Sequence, residues 1–135
     1  MNEVFKLVAI EKLVPHESIN NDTADELHQK LLRENTWTDP IIVSREGLVI
    51  LDGHHRFEIA KRMNLKLIPA YLVDYDSANI ELRQWGTNNG MDKLAVLEAA
   101  RNKNMFPPKS TQHTFLKKLH RTNIRLSLLR KATVK

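Results

Sequence analysis

The stretch Leu48-Val49-Ile50-Leu51-Asp52-Gly53-His54-His55-Arg56-Phe57-Glu58-Ile59-Ala60 decides how this chain folds. Four apolar residues read as a strand, Asp52-Gly53 as its end, and a helix starts immediately after. The first turn of a helix presents unpaired N–H groups and a positive dipole potential, which together suit an anion. Gly53 permits a positive φ or the close approach of a ligand. Arg56 has the fork that grips phosphate oxygens in pairs, with His54 and His55 as further donors. Asp52 is placed to cap the helix or to hold a magnesium ion that bridges to phosphates. Three basic or imidazole side chains in a first turn oppose the helix dipole, and a bound anion would relieve that conflict. The plainer alternative is a capping aspartate followed by solvated histidines. Zinc is disfavoured, because His54 and His55 do not share a helix face and the chain has no His-x3-His pair.

Outward from this junction, residues 5–13 read as a short strand closed by Pro15, and residues 21–33 as a helix. In that helix Leu27, Leu31 and Leu32 share a face, and Asp22 or Thr23 is the expected N-cap. Asp39-Pro40 breaks the chain before Ile41-Ile42-Val43-Ser44, which Arg45-Glu46-Gly47 joins to the 48–51 strand as a hairpin. The helix after Gly53 should stop at Asn64. Residues 66–73 read as a strand, with Pro69 suggesting an edge or a strand start. Ile80 to Trp85 follows a polar segment, and Gly86 to Gly90 reads as a loop. Residues 91–103 form an amphipathic helix stopped by Phe106-Pro107-Pro108, and Lys109-Ser110-Thr111 reads as the opening of another. Residues 114–130 carry helical apolar spacing through Phe115, Leu119, Leu126 and Leu129, weakened at Asn123. The expected fold class is a small mixed α+β domain over residues 1–135, with a core at about 5–90 and a helical C-terminal portion at about 91–135.

The 135 residues suffice for one domain, and 41% hydrophobic residues support a modest core. The absence of cysteine excludes disulfides, thiolate metal sites and cysteine nucleophiles. No apolar run reaches the roughly 18 residues of a membrane span, and Met1 to Lys6 has no leader-like apolar stretch, so a cytoplasmic protein with no membrane partner is expected. The net charge of +5 hides an asymmetry. Residues 1–60 hold 6 Lys/Arg against 11 Asp/Glu, whereas residues 101–135 hold 10 Lys/Arg and no acid. A basic C-terminal quarter fits an anionic partner there, or simply a solvated basic face formed by residues such as Lys117, Lys118, Arg121 and Arg125.

The Gly53-His54-His55-Arg56 element resembles the G-x-x-R signature of the ParB/sulfiredoxin-fold superfamily. Sulfiredoxins place a catalytic cysteine after the glycine, where this chain has His54, and ParB proteins typically read G-E-R-R. The fuller match is to the free L-serine kinases of that superfamily. Their D-G-H-H-R motif is met by Asp52 to Arg56 and their early P-H-E by Pro15-His16-Glu17. Their tryptophan beyond the last strand corresponds to Trp85, and their P-P-K-[ST]-T-x-H motif to Pro107 to His113.

That resemblance implies a kinase transferring phosphate from ATP or ADP to the hydroxyl of free L-serine, with Mg2+ as cofactor. It implies Glu17 as the base at the hydroxyl and Asp52 as a catalytic and magnesium-binding residue. Gly53, His54, His55 and Arg56 would bind the nucleotide phosphates. Trp85, Thr87, Lys109, Ser110, Thr111 and His113 would face the substrate, and Trp37 is assigned to packing. The alternative is a ParB-like, non-catalytic module that binds nucleotide or DNA through its basic C-terminal segment.

Overall fold

A four-stranded mixed sheet forms the frame of the computed structural model, which describes residues 4–74, 80–84, 93–102, 111–115 and 121–130. Strand β1 (Val4–Ala9) runs into a 3-10 turn (Ile10–Lys12), and helix α1 (Asn21–Glu34) leads to the short strand β2 (Thr36–Trp37). Strand β3 (Ile41–Ser44), strand β4 (Ile50–Asp52), helix α2 (His54–Arg62) and strand β5 (Leu67–Val73) follow. The sheet order is β1-β5-β3-β4, antiparallel except for the parallel β3/β5 pair. Beyond it lie β6 (Ile80–Gln84), α3 (Lys93–Arg101), β7 (Thr111–Phe115), β8 (Ile124–Arg125) and α4 (Leu126–Leu129). The α+β class is therefore as expected.

Alternation along the strands splits the core into two layers. Val8, Ile41, Val43, Ile50, Ile68 and Ala70 pack with Ala24, Leu31, Phe57 and Ile59 of α1 and α2. On the other face Ile42, Val49, Leu51 and Val73 meet Val96 and Ala100 of α3. Among the described residues no helix is long and apolar enough to cross a membrane.

Several local expectations need correction. The cap of α1 is Asn20, whose side chain accepts from the Thr23 N–H at 3.1 Å, rather than Asp22 or Thr23. Pro69 sits on an inner strand, not an edge. The Ile10 N–H to Lys66 bond sets the β1/β5 alternation so that the Pro69 nitrogen faces β3, and β3 pairing begins only at Ala70. The missing donor thus has no partner to lose. The link between β3 and β4 takes in Leu48 as well, at φ 51°, and Ser44 Oγ accepts from the Val49 N–H across it.

The largest correction concerns the helix expected over residues 114–130, whose described residues, 114–115 and 121–130, are mostly strand and loop. Thr111–Phe115 is a strand antiparallel to β6, so Thr111 begins a strand rather than a helix, and Ile124–Arg125 pairs with Thr36–Trp37. Among the described residues of this range only Leu126–Leu129 is helical, and burying Leu126 and Leu129 in the main core satisfies their spacing. The Lys66 N–H bonds to the Leu129 carbonyl at 2.8 Å and closes that plug.

Candidate functional site

The β4–α2 junction forms as the sequence dictates. Gly53 is the N-cap of α2 at φ 107°, a conformation that L side chains rarely adopt. A Cβ there would run into Cγ2 of Ile41 and lie 2.9 Å from its Cβ. Glycine is thus required twice, by backbone and by space. Gly53 has no side chain to cap α2, and the helix starts directly at the junction.

The Pro15-His16-Glu17 segment is laid against this junction. Val14 bridges Val49 in parallel, its N–H bonding to Leu48 O and its carbonyl accepting from Ile50. The segment then runs beside β4 in the same direction, which carries Glu17 toward the Asp52 end. Two histidines of α2 hold it there. The His16 N–H donates to Nε2 of His54 at 3.1 Å, and the Asn20 N–H donates to Nε2 of His55 at 2.9 Å.

His16 is fully buried, and its Nδ1 lies 2.8 Å from Ile50 O. A carbonyl only accepts, so Nδ1 carries the proton. Burial lowers the ring pKa to about 4, against the raising effect of the Ile50 bond, so His16 is neutral at ordinary pH. Glu17 is buried too, with Oε2 4.0 Å from Nε2 of His16, beyond hydrogen-bond reach.

Beside the junction opens a cavity of about 360 Å³, lined by Asp39, Pro40, Ile42, Asp52, Arg56, Tyr71 and Arg121. Asp52 is exposed toward it. Although the residue reaches the surface, its pKa is raised, chiefly because the protein crowded around the carboxyl screens it from much of the bulk water, while Arg56 and the Gly53 N–H pull it back. Arg56 Nη2 donates to Asp39 Oδ2 at 3.2 Å. Asp39 and Arg121 were not expected at the site. Asp39 read as a chain break and Arg121 as part of a solvated helical face, and nothing local in the sequence joins them.

Of the residues singled out in the sequence, Glu17, Asp52, Gly53, His54, His55 and Arg56 come together here. Thr111 and His113 lie on β7, opposite Gln84 and Leu82 in the β6 register, and the β7 backbone passes next to β4. Trp85, Thr87, Lys109 and Ser110 lie outside the described residues. Trp37 is fully buried, as its packing assignment required. Among the described residues no group of three or more His, Asp or Glu side chains forms a metal cage.

A mixed sheet whose strand ends in a Gly-x-x-Arg turn at a helix N-terminus is a ParB/sulfiredoxin-like fold, of the form seen in serine kinases. No family model matches the chain. A ParB-like protein of Sulfolobus acidocaldarius is 37% identical over 84 residues, which are 62% of this chain and 42% of that protein. An ATP-dependent L-serine kinase of Desulfurococcus mucosus is 34% identical over 98 residues, 70% of this chain and 38% of that protein. The matched stretch therefore spans only about two fifths of either relative. The solved structure of a free serine kinase in complex with AMP superposes with a TM-score of 0.83 over 93% of each chain, at 13% identity, a likeness of fold.

Proposed function

We propose that this chain is a free L-serine kinase, transferring the terminal phosphoryl group of ATP or ADP to the serine hydroxyl to give O-phospho-L-serine. The observation that carries this reading is the pinning of the Pro15-His16-Glu17 segment onto α2 by His54 and His55, which brings a buried carboxylate to an anion-binding turn. Glu17 takes the proton as the serine oxygen bonds to phosphorus. The bond from phosphorus to the bridging oxygen breaks, and the shortened nucleotide leaves with that oxygen's electrons.

Arg56 and the N-terminus of α2 hold the phosphates, and catalysis is mainly positioning and charge stabilisation. The Nε2 atoms of His54 and His55 accept from the main chain, so the role assigned here to both rings is to position Glu17. A carboxylate at the cavity wall beside a phosphate site fits magnesium, which is commonly held by one or two carboxylates plus phosphates and water. Asp52 would hold it, and the ion would neutralise charge on the transferring group.

The same relatives include a ParB-like protein, and nucleic-acid binding through the basic C-terminal segment remains the rival reading. Against it, Arg121 is paired with Asp39 and Leu126 and Leu129 are buried, so residues 121–130 do not form a free basic helix. The test is incubation with L-serine, magnesium and either ATP or ADP, read by phosphorus NMR. The appearance of O-phospho-L-serine is expected with at least one donor. No product with either donor, together with salt-sensitive duplex binding, would favour the rival.

A further inference from the structure

Asp39 holds two guanidinium groups from distant parts of the chain. Oδ2 accepts from Nη2 of Arg56 at 3.2 Å, and Oδ1 lies 3.0 Å from Nε of Arg121. An ion pair at a surface is worth little by itself, so the pairing needs another cause. That cause is the backbone. The indole Nε1 of buried Trp37 donates to the Asp39 carbonyl at 2.8 Å, which fixes the turn carrying the carboxylate. The Thr122 N–H donates to Thr38 O at 2.8 Å and its Oγ1 to Trp37 O at 3.0 Å, so the residue after Arg121 is tied to that same turn.

Arg121 is therefore delivered to the cavity wall by main-chain bonds, while its side chain stays 83% exposed. With Nε engaged by Asp39, its two Nη groups have no partner among the described residues. An arginine tethered at its root, open at its tip and lining a cavity beside a helix N-terminus is built to meet an anion. It stands across Asp39 from Arg56, one carboxylate further along the wall. That spacing suits a second phosphate, beyond the one at the start of α2.

We propose that Arg121 is a further phosphate-binding residue of this site, contacting the terminal phosphate of a nucleoside diphosphate or triphosphate. The proposal rests on the kinase reading above and adds a residue to it from the C-terminal segment.

Calorimetry with AMP and with ADP tests it on the wild-type chain, Arg121→Ala and Arg125→Ala. Arg125 is exposed on β8 and does not line the cavity, so its loss removes the same charge from the same segment. The expectation is that Arg121→Ala keeps the wild-type thermal midpoint and AMP affinity but binds ADP about tenfold more weakly or worse, with Arg125→Ala unchanged. Three results would overturn it: ADP affinity unaltered in Arg121→Ala, equal weakening in both variants, or equal weakening of AMP and ADP. A wild-type chain that binds neither nucleotide removes the kinase reading and this proposal together. Binding of both with an indifferent Arg121→Ala removes this proposal alone.

Discussion

The main-chain N–H of His16 is bonded to the ring of His54 at 3.1 Å, and the two rings meet edge to face with centroids 4.6 Å apart and planes at 80°. Through this contact α2 reaches across to hold the segment that carries Glu17. His54→Leu leaves a buried N–H without its acceptor, which costs about 1–3 kcal/mol. Turnover should fall more steeply than ADP affinity, because Glu17 loses its placement while Arg56 and the start of α2 remain. Denaturant unfolding and an ADP titration check both halves, and unchanged turnover would remove the positioning role.

Glu17→Gln keeps the shape of the side chain and removes its basicity. Phosphoryl transfer to serine should drop by about 10²–10⁴-fold, the usual contribution of a general base. Binding of ADP should survive. A variant with near-wild-type turnover would show that Glu17 does not take the proton.

Gly53→Ala forces an L side chain into φ 107° and into contact with Ile41. Strain of this kind costs of the order of 1–3 kcal/mol, and the collision with a buried β-branched residue adds to it. The thermal midpoint should fall by several degrees and ADP binding with it. An unaltered midpoint would contradict the backbone described at the junction.

Stability should fall on acidification because of His16. Its pKa is lowered from 6.5 to about 4 in the folded chain. Above about pH 6.5 both folded and unfolded forms hold a neutral ring, and the residue contributes no pH dependence. Between that pH and about 4 the unfolded chain takes up a proton that the folded chain refuses, and stability declines by up to about 3 kcal/mol. Asp52, whose pKa is raised, pulls in the opposite direction and blunts the lower part of the fall. Urea midpoints across this range should slope in the wild type and flatten in His16→Gln. Parallel slopes would assign the effect elsewhere.

What the sequence showed best were elements set by neighbours in the chain. The apolar run ending in Asp52-Gly53, the helix after it and its stop at Asn64 with φ 57° all follow from local chemistry. What stayed hidden depends on partners far along the chain. β8 is two residues long and exists because Thr36 and Trp37 offer an edge, so the helical spacing of Leu126 and Leu129 gave no sign of the strand just before them. The backbone partners of His54 and His55 stayed hidden for the same reason. Their Nε2 atoms are taken by the backbone of residues 16 and 20, and no spacing within Asp52 to Arg56 reports that. Asp39 and Arg121 meet only once the Trp37 turn and the 121–125 segment have docked.

The position of β5 between β1 and β3 bears on how the protein comes off the ribosome. β5 is the last of the four sheet strands to be synthesised, yet β1 and β3 both wait for it. Until Val73 has emerged, β1 lacks its partner and β3 and β4 amount to a lone hairpin, which is marginal in water. The residues that cover Trp37 and supply Arg121 arrive later still. A nascent or prematurely terminated chain thus carries Asp52 and Arg56 without a formed pocket around them, and competence to bind appears late in synthesis.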